Sequence, residues 1–205
     1  MTIDAIMRMA PVIPVLVIDE ALDPVALAET LVEAGLPVIE VTLRTRGALP
    51  ALRSMAGVAG AVVGAGTVLN EQMLAEAIDA GAKFIVSPGL TEPLSRAAIA
   101  SGVPYLPGVA TAGDIMRGLD LGLDHFKFFP AEAAGGLAAL KALAAPFGDA
   151  RFCPTGGIRL ESAPLWLAHP SVLCVGGSWL AQPGETDLAE VGSRARAASS
   201  LRKAA

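Results

Sequence analysis

From Val12 onward the chain alternates short apolar runs with amphipathic stretches, at a period of roughly 20 to 26 residues. The apolar runs predict strands over 12–18, 38–43, 61–64, 84–87 and 104–106, a sixth opening at His125, then 151–153 and 172–175. The helices between them are marked by their ends. Asp23 offers an N-cap with Pro24 at the first helical position, and Val25, Leu27, Ala28, Leu31 and Val32 keep helical spacing up to Gly35. Asn70 caps a helix that Gly81 ends, and Thr111 with Asp114 has the spacing of a capping pair. Further helices are expected over 48–56, from Thr91 to about 101, over 136–145 and over 188–201, with a helical turn or two over 4–9.

Strands that alternate with helices pair in parallel. Eight such units in sequence predict an α/β fold, a single (β/α)8 barrel of the TIM type with a short N-terminal helix, spanning residues 1–205 as one domain. The competing architecture is an open doubly wound sheet. Its Gly-rich turn after the first strand is missing, because Ile18-Asp19-Glu20-Ala21 stands there. A length of 205 residues suits one domain and lies at the lower edge for this barrel. The composition, 53% hydrophobic but only 4% aromatic, suits strands covered on both faces by helices.

The formal net charge of −5, from 15 basic and 20 acidic side chains, offers no basic field to nucleic acid. Cys153 and Cys174 lie in strand-like runs, which fits reduced, buried thiols and a cytoplasmic protein. Pro11 and Pro14 break the opening apolar stretch, so it reads as a strand and not a signal peptide, and no run reaches the roughly 20 residues of a membrane span. Arg194, Arg196, Arg202 and Lys203 near the end of the last helix suit its dipole and imply no partner.

The chemistry collects around His125-Phe126-Lys127-Phe128-Phe129-Pro130-Ala131-Glu132. An ammonium among Phe126, Phe128 and Phe129 is poorly placed for hydration, and desolvation disfavours the charged form of an amine. A neutral amine is a nucleophile that forms Schiff bases with carbonyl compounds. The competing structural reading is a lysine that snorkels to water along an aromatic wall. In a parallel barrel, active-site groups come from the carboxyl ends of the strands and the loops beyond. Lys127, Glu40, Arg44, Thr67 and Pro88 all fall at or near such ends, and Gly156-Gly157 and Gly176-Gly177 follow the last two strands, where loop N–H groups bind phosphate. Glu40 lies inside Val38-Ile39-Glu40-Val41, and in a barrel without edge strands such a carboxylate is paired or functional; an Arg44–Glu40 ion pair would be the structural explanation. His125 and His169 are too few for a metal site.

Six segments, running in order from about Pro11 to Trp179, carry a resemblance to a known family: Ile39-Glu40-Val41-Thr42-Leu43-Arg44-Thr45, Gly64-Ala65-Gly66-Thr67-Val68, Ser87-Pro88-Gly89-Leu90-Thr91-Glu92-Pro93, Phe126 to Glu132, Arg151-Phe152-Cys153-Pro154-Thr155-Gly156-Gly157 and Val175-Gly176-Gly177-Ser178-Trp179. Together the sequence resembles the 2-keto-3-deoxy-6-phosphogluconate aldolases. The resemblance implies a class I aldolase on a (β/α)8 barrel, usually a homotrimer, that needs no metal or cofactor and yields pyruvate and glyceraldehyde 3-phosphate in the Entner–Doudoroff route. It implies Lys127 as the imine-forming residue and Glu40 as general acid/base. Arg44 and Thr67 would hold the pyruvate carboxylate, Pro88 and Phe129 would shape the pocket, and Thr155, Gly156, Gly157 and Ser178 would belong to the phosphate end. Ala134 stands where relatives often carry Asn or Ser, so that loop is left out of the site.

Three alternatives follow from the same residues. Related aldolases act on the galactonate-derived epimer, but Thr42-Leu43-Arg44-Thr45 and Lys127-Phe128-Phe129-Pro130-Ala131-Glu132 resemble the gluconate branch. A barrel that only binds phosphate would need neither Lys127 nor Glu40. A metal-dependent aldolase is the third, and activity that survives chelation would exclude it.

Overall fold

The computed structural model describes residues 1–19 and 21–201; Glu20, Arg202 and Lys203 lie outside the described residues. The chain runs α1 (Ile3–Arg8), β1 (Val12–Leu16), α2 (Pro24–Glu33), β2 (Val38–Thr42), α3 (Ala48–Met55), β3 (Val62–Gly66), α4 (Glu71–Asp79), β4 (Ile85–Val86), α5 (Glu92–Ser101), β5 (Tyr105–Leu106), β6 (Gly108–Val109), α6 (Ala112–Asp120), β7 (His125–Phe128), α7 (Gly136–Ala144), β8 (Arg151–Pro154), α8 (Ala163–Leu167), β9 (Val175–Gly177) and α9 (Leu188–Ser199). Helix starts follow the residues that mark them. Asp23 accepts the Ala26 N–H at 2.8 Å, Asn70 accepts that of Met73 at 2.9 Å, and Thr111 and Asp114 close a reciprocal capping box.

All strand pairings are parallel, in the orders β5-β4-β3-β2-β1-β9 and β6-β7-β8. Bridges from Phe152 to Val172 and from Thr155 to Gly176 join the second group to the β9 segment. The fold is therefore α/β with a curled parallel sheet. It differs from the elements expected of the sequence in three places. The fifth strand is cut by Pro107, which has no N–H for the ladder, so β5 pairs with β4 and β6 with β7, while the Pro107 carbonyl accepts the Lys127 N–H at 2.8 Å. The last strand pairs with β1 from Val175 to Gly177, so Gly176 and Gly177 lie buried in β9 and not in the loop beyond it. Helix α8 is absent from the sequence reading: it is five residues long, and Ser162 at its start makes no side-chain cap.

Alternation along each strand sorts the core into two shells. Outward residues such as Ile39, Val41, Phe126, Phe128 and Phe152 pack under the helices with Leu31, Leu52 and Trp166. Inside the curl, Ile13, Val38, Phe84, Val86, Leu106, Cys153 and Leu173 meet Ile6 and Met7 of α1. Val38 and His125 are the first residues of their strands, so α1 closes the amino end of the sheet. Ile6 and Met7 are fully buried, and each contributes about 1.5–3 kcal/mol through the apolar area it removes from water. Asp4 fastens the plug by accepting from Arg8 at 2.8 Å and meeting His125 Nε2 at 3.1 Å.

Candidate active site

With the amino end plugged, the interior opens at the carboxyl rim. The side chain of Lys127 enters this space from β7 and that of Glu40 from β2. Lys127 Nζ donates to Glu40 Oε1 at 3.0 Å, with the two side chains 7% and 4% exposed. Glu40 is paired with Lys127, and the Arg44–Glu40 pair offered by the sequence does not form. The flanking aromatics also divide. Phe126 packs on Phe152 (centroids 6.1 Å apart) and Phe128 on Trp166 (6.3 Å), both in the outer shell, because strand neighbours point to opposite faces. Phe129 alone reaches the amine, its ring centroid 5.4 Å from Nζ. Room for the glutamate comes from β3: a Cβ on Gly66 would overlap the Glu40 carboxylate.

Above this pair, Arg44 Nε donates to Thr67 Oγ1 at 3.3 Å. Thr67 has φ 60°, a left-handed conformation that is costly for a β-branched residue. Its neighbours hold it there, since the Gly66 carbonyl accepts the Leu43 N–H at 2.8 Å and Val68 donates to the Val86 carbonyl at 3.2 Å. Pro88 is held by its flanks. Ser87 Oγ donates to the Gly89 carbonyl at 2.7 Å and lies 2.7 Å from the hydroxyl of Tyr105, whose pKa burial pushes up.

Thr155 is buried at the end of β8, with Gly176 leaving space for its side chain, and Gly156 and Gly157 follow with φ 106° and 81°. Gly157 and Ser178 line a cleft of about 540 Å³ with Arg159, Trp179, Gln182 and Arg194; the sequence marks neither Arg159 nor Gln182, and Arg194, expected only to suit the helix dipole, pairs with Glu185. Glu132 accepts from Trp166 Nε1 at 3.2 Å and so is fixed outside the Lys127 pair. His125 lies between Asp124 and Asp4, and burial lowers the pKa of His169. The structure thus brings Lys127, Glu40 and Phe129 together, places Arg44 with Thr67, sets Gly156 beside the Phe129 ring, bridges Thr155 to Gly176, and has Gly157 and Ser178 share the cleft.

A primary amine buried against a carboxylate at the open end of a curled parallel sheet is the arrangement of a Schiff-base lyase. The KDPG and KHG aldolase family matches residues 3–193. A 2-dehydro-3-deoxy-phosphogluconate aldolase of Zymomonas mobilis is 57% identical over 203 residues, covering 99% of this chain and 98% of its own. A solved 2-keto-3-deoxy-6-phospho-gluconate aldolase of that species superposes with a TM-score of 0.97 at 56% identity, over 100% of this chain and 99% of that one. A Legionella pneumophila KDPG aldolase, solved with pyruvate captured as a covalent carbinolamine, aligns with a TM-score of 0.92 at 42% identity, over 96% and 98% of the two chains. This chain belongs to the KDPG and KHG aldolase family.

Proposed function

We propose that this chain cleaves 2-dehydro-3-deoxy-6-phosphogluconate to pyruvate and glyceraldehyde 3-phosphate by a class I mechanism, and that it also accepts 4-hydroxy-2-oxoglutarate. The observation that carries the reading is the buried 3.0 Å contact between Lys127 Nζ and Glu40 Oε1. A proton passed from the ammonium to Glu40 frees the amine to attack the C2 ketone. Glu40 then returns that proton to the carbinolamine oxygen, water leaves, and the imine nitrogen carries the positive charge. With the carboxylate restored, Glu40 accepts the C4 hydroxyl proton as the C3–C4 bond breaks. The aldehyde departs, and the electron pair is held by the enamine on Lys127. Protonation at C3 and hydrolysis of the imine release pyruvate and regenerate the amine.

Arg44 and Thr67 present donors to the C1 carboxylate, and Arg44 suits a planar two-oxygen acceptor. Pro88 and Phe129 form the walls. Thr155, the Gly156-Gly157 turn and Ser178 bind the phosphate, so binding energy far from the reacting bond orients it. Gly176 and Gly177, within β9, contribute by carrying Ser178 to the rim. The β1–β9 ladder and the Thr155–Gly176 bridge support a sheet closed into a single (β/α)8 barrel domain. A cytoplasmic homotrimer completes the reading, and the mass of the assembly in solution tests it.

Borohydride reduction with pyruvate, followed by peptide mass measurement, is expected to place the adduct on Lys127; an unmodified Lys127 overturns the mechanism. Cleavage rates on the gluconate- and galactonate-derived phosphates are expected to favour the former, and a clear preference for the latter overturns the substrate assignment.

A further inference from the structure

Arg159 stands two residues beyond Gly157, between β8 and α8, and its side chain lines the cleft that Gly157 and Ser178 share. Its backbone is pinned there: Arg159 N–H donates to Ser162 Oγ at 3.1 Å, and the Ala163 N–H donates to the Arg159 carbonyl at 2.9 Å. The second arginine of the cleft, Arg194, is committed to an ion pair with Glu185. The guanidinium of Arg159 has no hydrogen bond or ion pair among the described residues, including with Glu161, the carboxylate that also lines the cleft. An uncommitted, exposed cation thus shares a cleft with two of the residues assigned to the phosphate.

We propose that Arg159 is a specificity-determining residue that reads the phosphate of phosphorylated substrates, an inference that rests on the aldolase reading above. A phosphate monoester offers three acceptor oxygens and nearly two negative charges, which the guanidinium fork matches in geometry and sign. The five-carbon 4-hydroxy-2-oxoglutarate ends in a carboxylate closer to the reacting carbon, and so falls short of this side chain. Because Arg159 is exposed, its field is screened by salt and acts on capture of the substrate, not on bond cleavage.

The test compares Arg159→Gln and Arg159→Lys with the unsubstituted enzyme on both substrates at low and moderate ionic strength. Arg159→Gln is expected to raise KM for the phosphorylated substrate about three- to fivefold at low ionic strength, the upper range for an exposed charge pair. Its kcat and its KM for 4-hydroxy-2-oxoglutarate should stay within about twofold, and inhibition by inorganic phosphate should weaken in parallel. Arg159→Lys should recover much of the loss, and the salt dependence of kcat/KM should flatten in the Gln variant. An unchanged KM for the phosphorylated substrate, or an equal rise for both substrates, overturns the proposal. Pyruvate trapping separates this from the underlying reading: an unsubstituted protein that forms no adduct overturns both, whereas normal trapping with an unaltered Arg159→Gln profile overturns this inference alone.

Discussion

Lys127 and Glu40 hold each other in an interior that would otherwise reject either charge. Removing one partner strands the other, at a cost of about 3–5 kcal/mol. Lys127→Met is therefore expected to be inactive and also less stable by that amount in denaturant titration, while Lys127→Met with Glu40→Gln regains most of the loss. A single variant as stable as the unsubstituted chain would show that the pair is not coupled in this way. Glu40→Gln alone should slow turnover on the order of 100-fold or more, measured on the phosphorylated substrate, and near-normal rates would move the base elsewhere. Thr67 makes a different trade. Glycine at this position relieves backbone strain on the order of 1–3 kcal/mol, offset in part by a freer unfolded chain. Thr67→Gly should hold or raise the melting temperature while raising KM for pyruvate in the condensation direction; a marked fall in stability would mean that the Arg44 contact outweighs the strain. Lys127 and Glu40 were legible as charges inside apolar strand runs. Arg159 and the Glu132–Trp166 bond were not, because loop residues reveal no neighbour 34 positions away by spacing. Phe126 and Phe128 show the reverse error, adjacency in sequence mistaken for a shared face.

Among the elements, helix α1 has the most distinct task, since it closes the end of the sheet opposite the site. Met7→Ala removes a fully buried side chain from that plug and should cost about 2–5 kcal/mol, read by thermal or denaturant unfolding. The polar fastening adds an acid-dependent part. Hydrogen bonds from Arg8 and then His125 hold the Asp4 carboxyl below its ordinary pKa of 3.8. A depressed folded pKa means that this stabilisation is complete above 3.8 and is lost as pH falls through the lower folded value. Asp4→Asn should therefore lower stability near neutrality and flatten the acid limb of the stability curve below pH 3.8, and an identical acid limb in the variant would remove Asp4 from the fastening. The starts of α2, α4 and α6 were readable because Asp23, Asn70 and Thr111 accept from backbone N–H groups of the next turn, and Asp114 reaches back to the N–H of Thr111. Helix α8 had no such mark, and its Trp166 is explained only by Glu132 and Phe128, which belong to another part of the chain.

Across the whole molecule, the alternation of strand and helix was legible from local periodicity, but the continuity of the ladder depends on which backbone N–H groups are present and where neighbours meet. Pro107 interrupts the fifth strand, and the Arg151–Pro154 strand reaches the last segment only through two bridges. The curl is consequently uneven around its circumference. On one side five residue pairs join β2 to β3, from Val38↔Val62 to Thr42↔Gly66, and three join β1 to β9. On the other, two residues pair β5 with β4 and two pair β6 with β7. Glu40 rides on the long-register side, whereas Lys127 sits beside the interruption, with its own N–H bonded to the Pro107 carbonyl. Opening of the short-register side would separate the amine from its carboxylate without unfolding the molecule, since local openings follow regions of sparse ladder and contact. Amide hydrogen exchange followed by mass spectrometry should therefore show the slowest exchange in Ile39, Val41, Val63 and Ala65, and faster exchange in Leu106, Gly108 and Val109. The Lys127→Met variant should widen that gap, because the buried pair spans the two sides. Uniform protection around the sheet, or a gap unaltered in the variant, would show that the interior pair plays no part in holding the two sides together.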